Sequence, residues 1–191
     1  MQNSLAEKNL INEALAGNIE SLAHLLHLNY NKVYGYLIKL TLNRELASDL
    51  AQESMTKAIE KLEQYNNSKA SFSTWLIQIA INTSRDWYRK EKRKKEFYDN
   101  LQNQSLNGLP LPSLNNNTNI GYDREEIMDT LVVLKSIPAK IRIPVILKYY
   151  YGYEQSEIAK FLNIPKGTVK SRISNGLKRI RKELQNNEKR Y

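Results

Sequence analysis

Glu154-Gln155-Ser156-Glu157-Ile158-Ala159-Lys160-Phe161-Leu162-Asn163-Ile164-Pro165-Lys166-Gly167-Thr168-Val169-Lys170-Ser171-Arg172 reads as a short helix, a tight turn and the opening of a second helix. Ile158, Ala159 and Leu162 fall three and four residues apart, the spacing of one buried helix face. Ala159 is small where a second helix has to cross closely. Asn163 stands at the turn, where a left-handed backbone is needed and Asn tolerates one. Pro165 and Gly167 open the next helix, whose apolar stripe is Val169, Ile173, Leu177, Ile180 and Leu184. At roughly 100° per residue, Ser171, Asn175, Lys178 and Lys182 lie opposite that stripe, with Arg172 and Arg179 beside them. This order of elements is a helix-turn-helix, and its second helix carries the polar, basic face of one that enters a major groove.

The charge of the chain points the same way. The 191 residues hold 29 Lys or Arg and 20 Asp or Glu, a formal net charge of +9. Residues 1–84 have a net of −1, residues 85–100 a net of +3, residues 101–163 a net of zero and residues 164–191 a net of +7. The excess is confined to two short blocks. One basic block alone is ordinarily a solvated helix face. Two, in an otherwise neutral chain, suggest a polyanion with two contact points, and nucleic acid fits best.

Outward from the motif, the pattern is helical throughout. Gly (7) and Pro (5) are scarce, and no stretch alternates with the period of a strand. A first helix is expected near Ser4–Ala16, with Gly17 as its stop and Asn18 as the next N-cap. A second runs to about Leu42 with Leu22, Leu25, Leu26, Tyr30, Val33 and Leu37 on one face. Asn43 caps a third through Leu62, built around Leu46, Leu50, Met55 and Ile59. After the polar turn Asn66-Asn67-Ser68-Lys69, a fourth carries Phe72, Leu76, Ile79, Ala80 and Thr83 at helical spacing and runs into the basic segment 89–95. Phe97–Tyr122, with seven Asn, two Pro and two Gly, reads as a flexible linker. A helix over Glu125–Ser136 and another opened by Pro138 then lead into the motif. The expected architecture is all-α: two small helical domains, 1–96 and 123–191, joined by a linker at 97–122.

Several chemistries are excluded or disfavoured. With no Cys, the chain has no disulfide framework, thiol nucleophile or Cys-ligated metal site. It contains no G-x-x-x-x-G-K-[ST] loop, no H-E-x-x-H and no nuclease-like carboxylate cluster, so an enzyme is not expected. His24 and His27 form His-x-x-His without a third ligand in view, which favours a surface or packing role over a metal site. Met1–Leu10 does not read as a signal peptide, and no apolar run approaches the roughly 20 residues of a membrane span. The expectation is a cytoplasmic, basic protein without cofactor or metal.

Gly167-Thr168-Val169-Lys170-Ser171-Arg172, placed after Glu157-Ile158-Ala159, resembles the fourth conserved region of bacterial sigma factors, nearest the extracytoplasmic-function (ECF) type of the sigma-70 family. Ile137-Pro138, Val145-Ile146-Leu147-Lys148-Tyr149-Tyr150 and Gly152 resemble the helices that precede the motif in that domain, sigma domain 4. The N-terminal half matches independently. Asp49-Leu50-Ala51-Gln52-Glu53 is similar to the second conserved region, which packs on the clamp helices of the polymerase largest subunit. Ala70-Ser71-Phe72-Ser73-Thr74-Trp75-Leu76 with Ile79-Ala80-Ile81-Asn82 is similar to the promoter-melting segment of sigma domain 2. Three departures stand out. Asn163 replaces the usual Gly of the turn, Glu154 replaces a small hydroxyl cap, and Gly176 is expected to soften the second half of the recognition helix.

The resemblance implies a factor without an active site that joins core RNA polymerase, through its clamp helices and flap, and directs it to promoter DNA. Asp49, Gln52 and Glu53 are implied for polymerase binding, since carboxylates pair selectively with arginine. For the −10 element it implies the loop residues Asn67, Ser68, Lys69 and Ser71 and the helix residues Asn82, Arg85, Tyr88 and Arg89. Asn82, with both donors and acceptors, suits a pocket for a flipped base. Trp75 and Trp87 are the candidates for stacking on bases, with Trp75 favoured for the core. For the −35 element, Lys166, Thr168, Ser171, Arg172 and Asn175 are implied near bases, and Lys170, Lys178 and Arg179 at phosphates. An anti-sigma partner is implied as well. The alternative is a stand-alone helix-turn-helix activator, since Gly167–Arg172 also resembles response-regulator output domains; that reading leaves the N-terminal half unexplained.

Overall fold

The computed structural model of the chain describes residues 5–104, 133–135 and 137–188. Its helices are α1 (Leu5–Leu15), α2 (Ile19–Thr41), α3 (Arg44–Glu60), a 3-10 turn (Leu62–Gln64), α4 (Phe72–Gln104), α5 (Ala139–Tyr149), α6 (Gln155–Leu162) and α7 (Lys166–Glu188). A short helical stretch at 133–135 precedes α5.

Local chemistry sets the boundaries. The Asn18 side chain accepts from Ser21 N at 3.0 Å and starts α2; Asn43 does the same for Leu46 N at 3.0 Å and starts α3. Between them, Leu42 closes α2 in the left-handed region (φ 55°), with its N–H on Ile38 O at 2.9 Å. Ser71 caps α4 by accepting from Thr74 N at 3.2 Å.

The first four helices form an N-terminal bundle in which α4 lies against both α2 and α3. The expected stripe of α4 is buried throughout: Phe72, Leu76, Ile79, Ala80 and Thr83. Ile77, Ile81 and Ser84, beside that stripe on the same helix, are buried too. α3 differs from expectation. Its core face is a row of small residues, Ala47, Ala51, Ser54 and Ala58, flanked by Leu50, and small side chains let neighbouring helices come close. Ile59 falls off that row and is 52% exposed, so it is not part of the core. α4 also runs to Gln104, past the boundary expected at 96. Ion pairs Lys94–Glu91 (2.8 Å) and Lys92–Glu96 (3.4 Å) lie along the basic segment just before that boundary, and such pairs each add a few tenths of a kcal/mol. The linker from 105 onward, and residues 125–132 of the helix expected after it, lie outside the described residues.

In the C-terminal half, α6 and α7 make the helix-turn-helix and α5 packs against α7. Asn163 adopts φ 50°, ψ 52°, the left-handed cap foreseen at this position. Glu154 is an adequate N-cap because Glu157 reciprocates: Glu154 N donates to Glu157 Oε2 at 2.7 Å. Val169, Ile173 and Gly176 of α7 are buried, Leu177 and Ile180 partly so, and Leu184 is 48% exposed because the stripe outruns the helices beneath it.

Gly176 does not soften the helix; α7 is helical through Glu188. A Cβ at Gly176 would meet Val145 Cγ2 at 2.5 Å and Ile141 Cγ2 at 3.2 Å, so the missing side chain is what lets α7 lie on α5. Both obstacles are β-branched and stiff at χ1. Gly176→Ala recovers about 1 kcal/mol of helix propensity but incurs about 1–3 kcal/mol of overpacking. The variant is expected to melt at lower temperature than the parent. Gly167→Ala, which meets nothing within 4 Å, is expected to leave the melting temperature unchanged or raise it slightly. Thermal unfolding followed by circular dichroism checks both.

Candidate nucleic-acid interface

Two polar surfaces emerge from this packing, one on each half. On α7, burial of Val169 and Ile173 turns the opposite face to solvent. Lys166, Lys170, Ser171, Asn175, Lys178 and Arg179 are exposed there, with Thr168 and Arg172 half-buried at the edge. The first turn is anchored by Thr168 N and Val169 N on Pro165 O at 2.9 and 3.1 Å, which fixes how the N-terminal end projects. Ser171 Oγ donates to Thr168 O at 3.0 Å, leaving its oxygen lone pairs as acceptors. The face has donors, acceptors and fixed positive charge without one acidic side chain between Lys166 and Lys182, as a duplex-contacting helix requires.

The second surface runs from the turn before α4 along that helix. Asn67, Ser68 and Lys69 are exposed, and Asn66 Oδ1 accepts from Ser68 N (2.9 Å) and Ser68 Oγ (2.6 Å), making a self-supported turn. Ser71 is half-buried and its hydroxyl is engaged with Thr74, so its first role is to start the helix. Asn82 is exposed, as is Arg89. Arg89 holds Asp86 only at 3.4 Å on the surface, a weak pair that leaves its charge available. Arg85 and Tyr88 are placed differently. Arg85 Nη1 reaches Phe161 O of α6 at 3.4 Å, and Tyr88, 37% exposed, lines a cleft with Arg142 of α5. Burial pushes the Tyr88 phenol above its ordinary range, and the Arg142 charge pulls the other way.

The aromatic candidates separate. Trp75 sits 5.2 Å from Tyr65 and 5.5 Å from Phe72, ring centre to ring centre, and packs against the core of the N-terminal half. Trp87 packs edge-on against Tyr88 at 5.0 Å and lines the cleft between the halves.

Asp49, Gln52 and Glu53 are all exposed on α3, away from the small-residue row. Glu53 pairs with Lys57 at 2.6 Å, and Gln52 Nε2 contacts Ser48 Oγ at 3.5 Å. Asp49 lies at the rim of the cleft that also holds Leu42, Tyr88, Lys135 and Arg142. Sequence reasoning missed that Arg142 and the Tyr150–Tyr153 loop reach the other half, because nothing local marks a contact between segments a hundred residues apart. Among the described residues no group of three or more His, Cys, Asp or Glu is arranged to hold a metal, and no helix is long and apolar enough to cross a membrane.

Residues 25–94 match the family model for Sigma-70 region 2, and residues 128–180 match that for Sigma-70, region 4. The chain is 30% identical over 187 residues to the ECF RNA polymerase sigma factor SigW of Bacillus subtilis, covering 93% of this chain and 96% of that one. It is 26% identical over 188 residues to the ECF RNA polymerase sigma-E factor of Haemophilus influenzae, covering 97% and 98%. Its fold is similar to the sigma factor RpoE of Bartonella quintana, solved with the anti-sigma factor NepR (TM-score 0.67, 22% identity, 87% of this chain and 98% of that one). It is also similar to CnrH, solved with the cytosolic domain of CnrY (TM-score 0.59, 18% identity, 94% and 97%). The region 2 match accounts for the half that a stand-alone activator leaves unexplained, and no comparison supports that alternative. With both halves matched in order and the likeness to SigW spanning nearly all of both chains, the protein belongs to the ECF RNA polymerase sigma factors of the sigma-70 family.

Proposed function

We propose that this sigma factor binds core RNA polymerase through the exposed face of α3, reads a −35 element with α7 and captures a melted −10 element with the turn before α4 and the outer face of α4. The observation that carries the reading is full-length likeness to an ECF RNA polymerase sigma factor, combined with two exposed polar surfaces on different halves of one chain. The halves correspond to domains at 1–96 and 123–191 with a connector at 97–122, the first residues of which, 97–104, continue α4 as helix. The factor performs no chemical step; it supplies binding energy and sequence choice to a polymerase that does the chemistry. Its site of action is the cytoplasm, where core polymerase works. The solved complexes of RpoE with NepR and of CnrH with CnrY support a further partner for this chain, an anti-sigma protein that covers one or both surfaces.

On α3, Asp49, Gln52 and Glu53 offer acceptors for basic groups of the polymerase. The Glu53–Lys57 pair is an exposed i,i+4 contact worth about 0.3–0.5 kcal/mol, so exchanging it for an arginine of the polymerase costs little. On α7, Arg172 and Asn175 supply the planar donor–acceptor edges that discriminate bases, whereas Lys178 and Arg179, further along, neutralise phosphates. On α4, Asn82 stands exposed on the helix that the turn at Asn67–Lys69 introduces, and it can hold the Watson–Crick edge of an extruded base.

Transcription reconstituted from sigma-free core polymerase, a pool of promoter-bearing fragments and this protein tests the reading. Discrete transcripts that require the protein are expected; their absence, with tight binding of duplex DNA by the protein alone, would refute it. At a promoter so found, Arg172→Ala and Asn82→Ala are each expected to lower initiation by about tenfold, in line with about 1–3 kcal/mol per specific contact. Lys178→Ala and Arg179→Ala are expected to weaken binding similarly on all promoters and to reduce the log–log salt slope by about one each.

A further inference from the structure

The turn that introduces α4 is held more firmly than an exposed loop needs to be. Tyr65, at its entry, is 6% exposed, and its ring centre lies 5.3 Å from that of Phe72 and 5.2 Å from that of Trp75. Both neighbours belong to the start of α4, so that helix sets where the Tyr65 hydroxyl stands. From there the hydroxyl donates to Ala70 O at 3.1 Å and joins the two ends of the turn. Tyr65 N is itself fixed on Leu62 O at 2.9 Å, at the close of the 3-10 turn. Within this frame Asn66 supplies two acceptors. Its carbonyl takes Lys69 N at 3.1 Å, and its Oδ1 takes Ser68 N at 2.9 Å and Ser68 Oγ at 2.6 Å. Left outward are the Asn67 carboxamide and the Lys69 ammonium, both exposed and neither with a hydrogen-bond partner among the described residues.

We infer that Tyr65 and Asn66 are positioning residues for −10 recognition: the Tyr65 hydroxyl and the Asn66 carboxamide hold the turn in the shape in which Asn67 and Lys69 meet an extruded base. The inference rests on the −10 reading above and adds two residues that touch no DNA in that reading. A turn that sampled several shapes would present Asn67 and Lys69 correctly for only part of the time, and apparent affinity falls by that fraction. Holding the shape beforehand removes the ordering cost at the moment of binding. Neither polar group is needed for the fold itself. A phenyl ring would fill the same space against Phe72 and Trp75, and the bond from Lys69 N to Asn66 O already reverses the chain without the Asn66 side chain. Both groups act on the same short segment, the one that carries Asn67 and Lys69.

Tyr65→Phe removes one bond and keeps the ring. In the free protein, amide hydrogen exchange read by NMR is expected to speed several-fold at Ser68 and Lys69 and to stay unchanged at Leu76, Ile77 and Ala80 of the buried helix. With core polymerase, a promoter found as above is prepared with each base in turn at every −10 position, and initiation is compared. Tyr65→Phe is expected to keep its melting temperature, its affinity for core polymerase and its −35 preference. At one or two adjacent −10 positions it is expected to lose about three- to tenfold of the parent's base preference. Asn66→Ala is expected to lose preference at the same positions. Asn66→Asp retains the acceptor and is expected to retain the preference, its added charge acting on all templates alike.

Unchanged preference in Tyr65→Phe overturns the inference, whatever the exchange rates show. A loss spread evenly over −10 and −35 positions overturns it too, because a merely structural role gives that result. An Asn66→Asp variant that loses as much as Asn66→Ala removes Asn66 from the assignment. The −10 reading fails in a different way: Asn67→Ala and Lys69→Ala would then keep the parent's preference at every −10 position, and the inference would fall with it. Where those two variants alter the preference while Tyr65→Phe and Asn66→Ala do not, the turn reads DNA without this support and the inference alone is lost.

Discussion

Burial of α4 against two neighbours is the constraint on which the rest of the molecule depends. This helix of 33 residues, about 50 Å long, packs on both α2 and α3. Two adjacent rows are buried there, Phe72, Leu76, Ala80 and Thr83 in one and Ile77, Ile81 and Ser84 in the other. Each large side chain fully buried in this way contributes about 1.5–3 kcal/mol, so the first part of the helix cannot rotate or slide without exposing several at once. What remains outward is a polar strip that includes Asn82 and Arg89, presented on a rod rather than a loop. A pocket for a single-stranded base needs that rigidity, because a flipped base is held by a few hydrogen bonds whose geometry has to exist beforehand.

The same logic explains the C-terminal half at smaller scale. α6 is only 8 residues long and cannot orient α7 by itself; the left-handed turn at Asn163 and the contact of Gly176 with α5 do so. One fixes the angle at which α7 leaves the turn, and the other fixes how deeply its middle lies on α5. The reading face ahead of Gly176 inherits both constraints. Gly176 thus sits in the framework that aims the exposed polar face of α7 although its own missing side chain faces α5.

How much of this is legible in the sequence follows from the range of each interaction. The caps at Asn18, Asn43 and Asn163 are legible because a cap is satisfied within three or four residues of itself. The periodic stripe of α4 is legible for the same reason. Leu184 misleads because periodicity gives a face but not how far the neighbouring helix extends beneath it, and Ile59 because the buried row of α3 is made of small residues that a search for large apolar ones passes over. Gly176 misleads because intrinsic propensity describes an isolated helix, whereas its role is set by Val145 and Ile141, some thirty residues away in sequence. Ile77 and Ile81 belong to a second buried row that a single-face reading of α4 does not anticipate. The polar surfaces follow from the sequence residue by residue except where packing or tertiary contact intervenes, at Ser71, Arg85 and Tyr88.

The last two of those exceptions share one cause: both side chains meet the C-terminal half. Arg85, Tyr88 and Asp49 carry functional groups suited to polyanions and arginines, and each lies where the C-terminal half can offer a substitute: a carbonyl for Arg85, a guanidinium beside Tyr88, a basic cleft wall near Asp49. A partner that binds the N-terminal half must supply better contacts than these. An arginine-rich or phosphate-rich surface does so by charge that backbone carbonyls and a half-satisfied Arg142 lack.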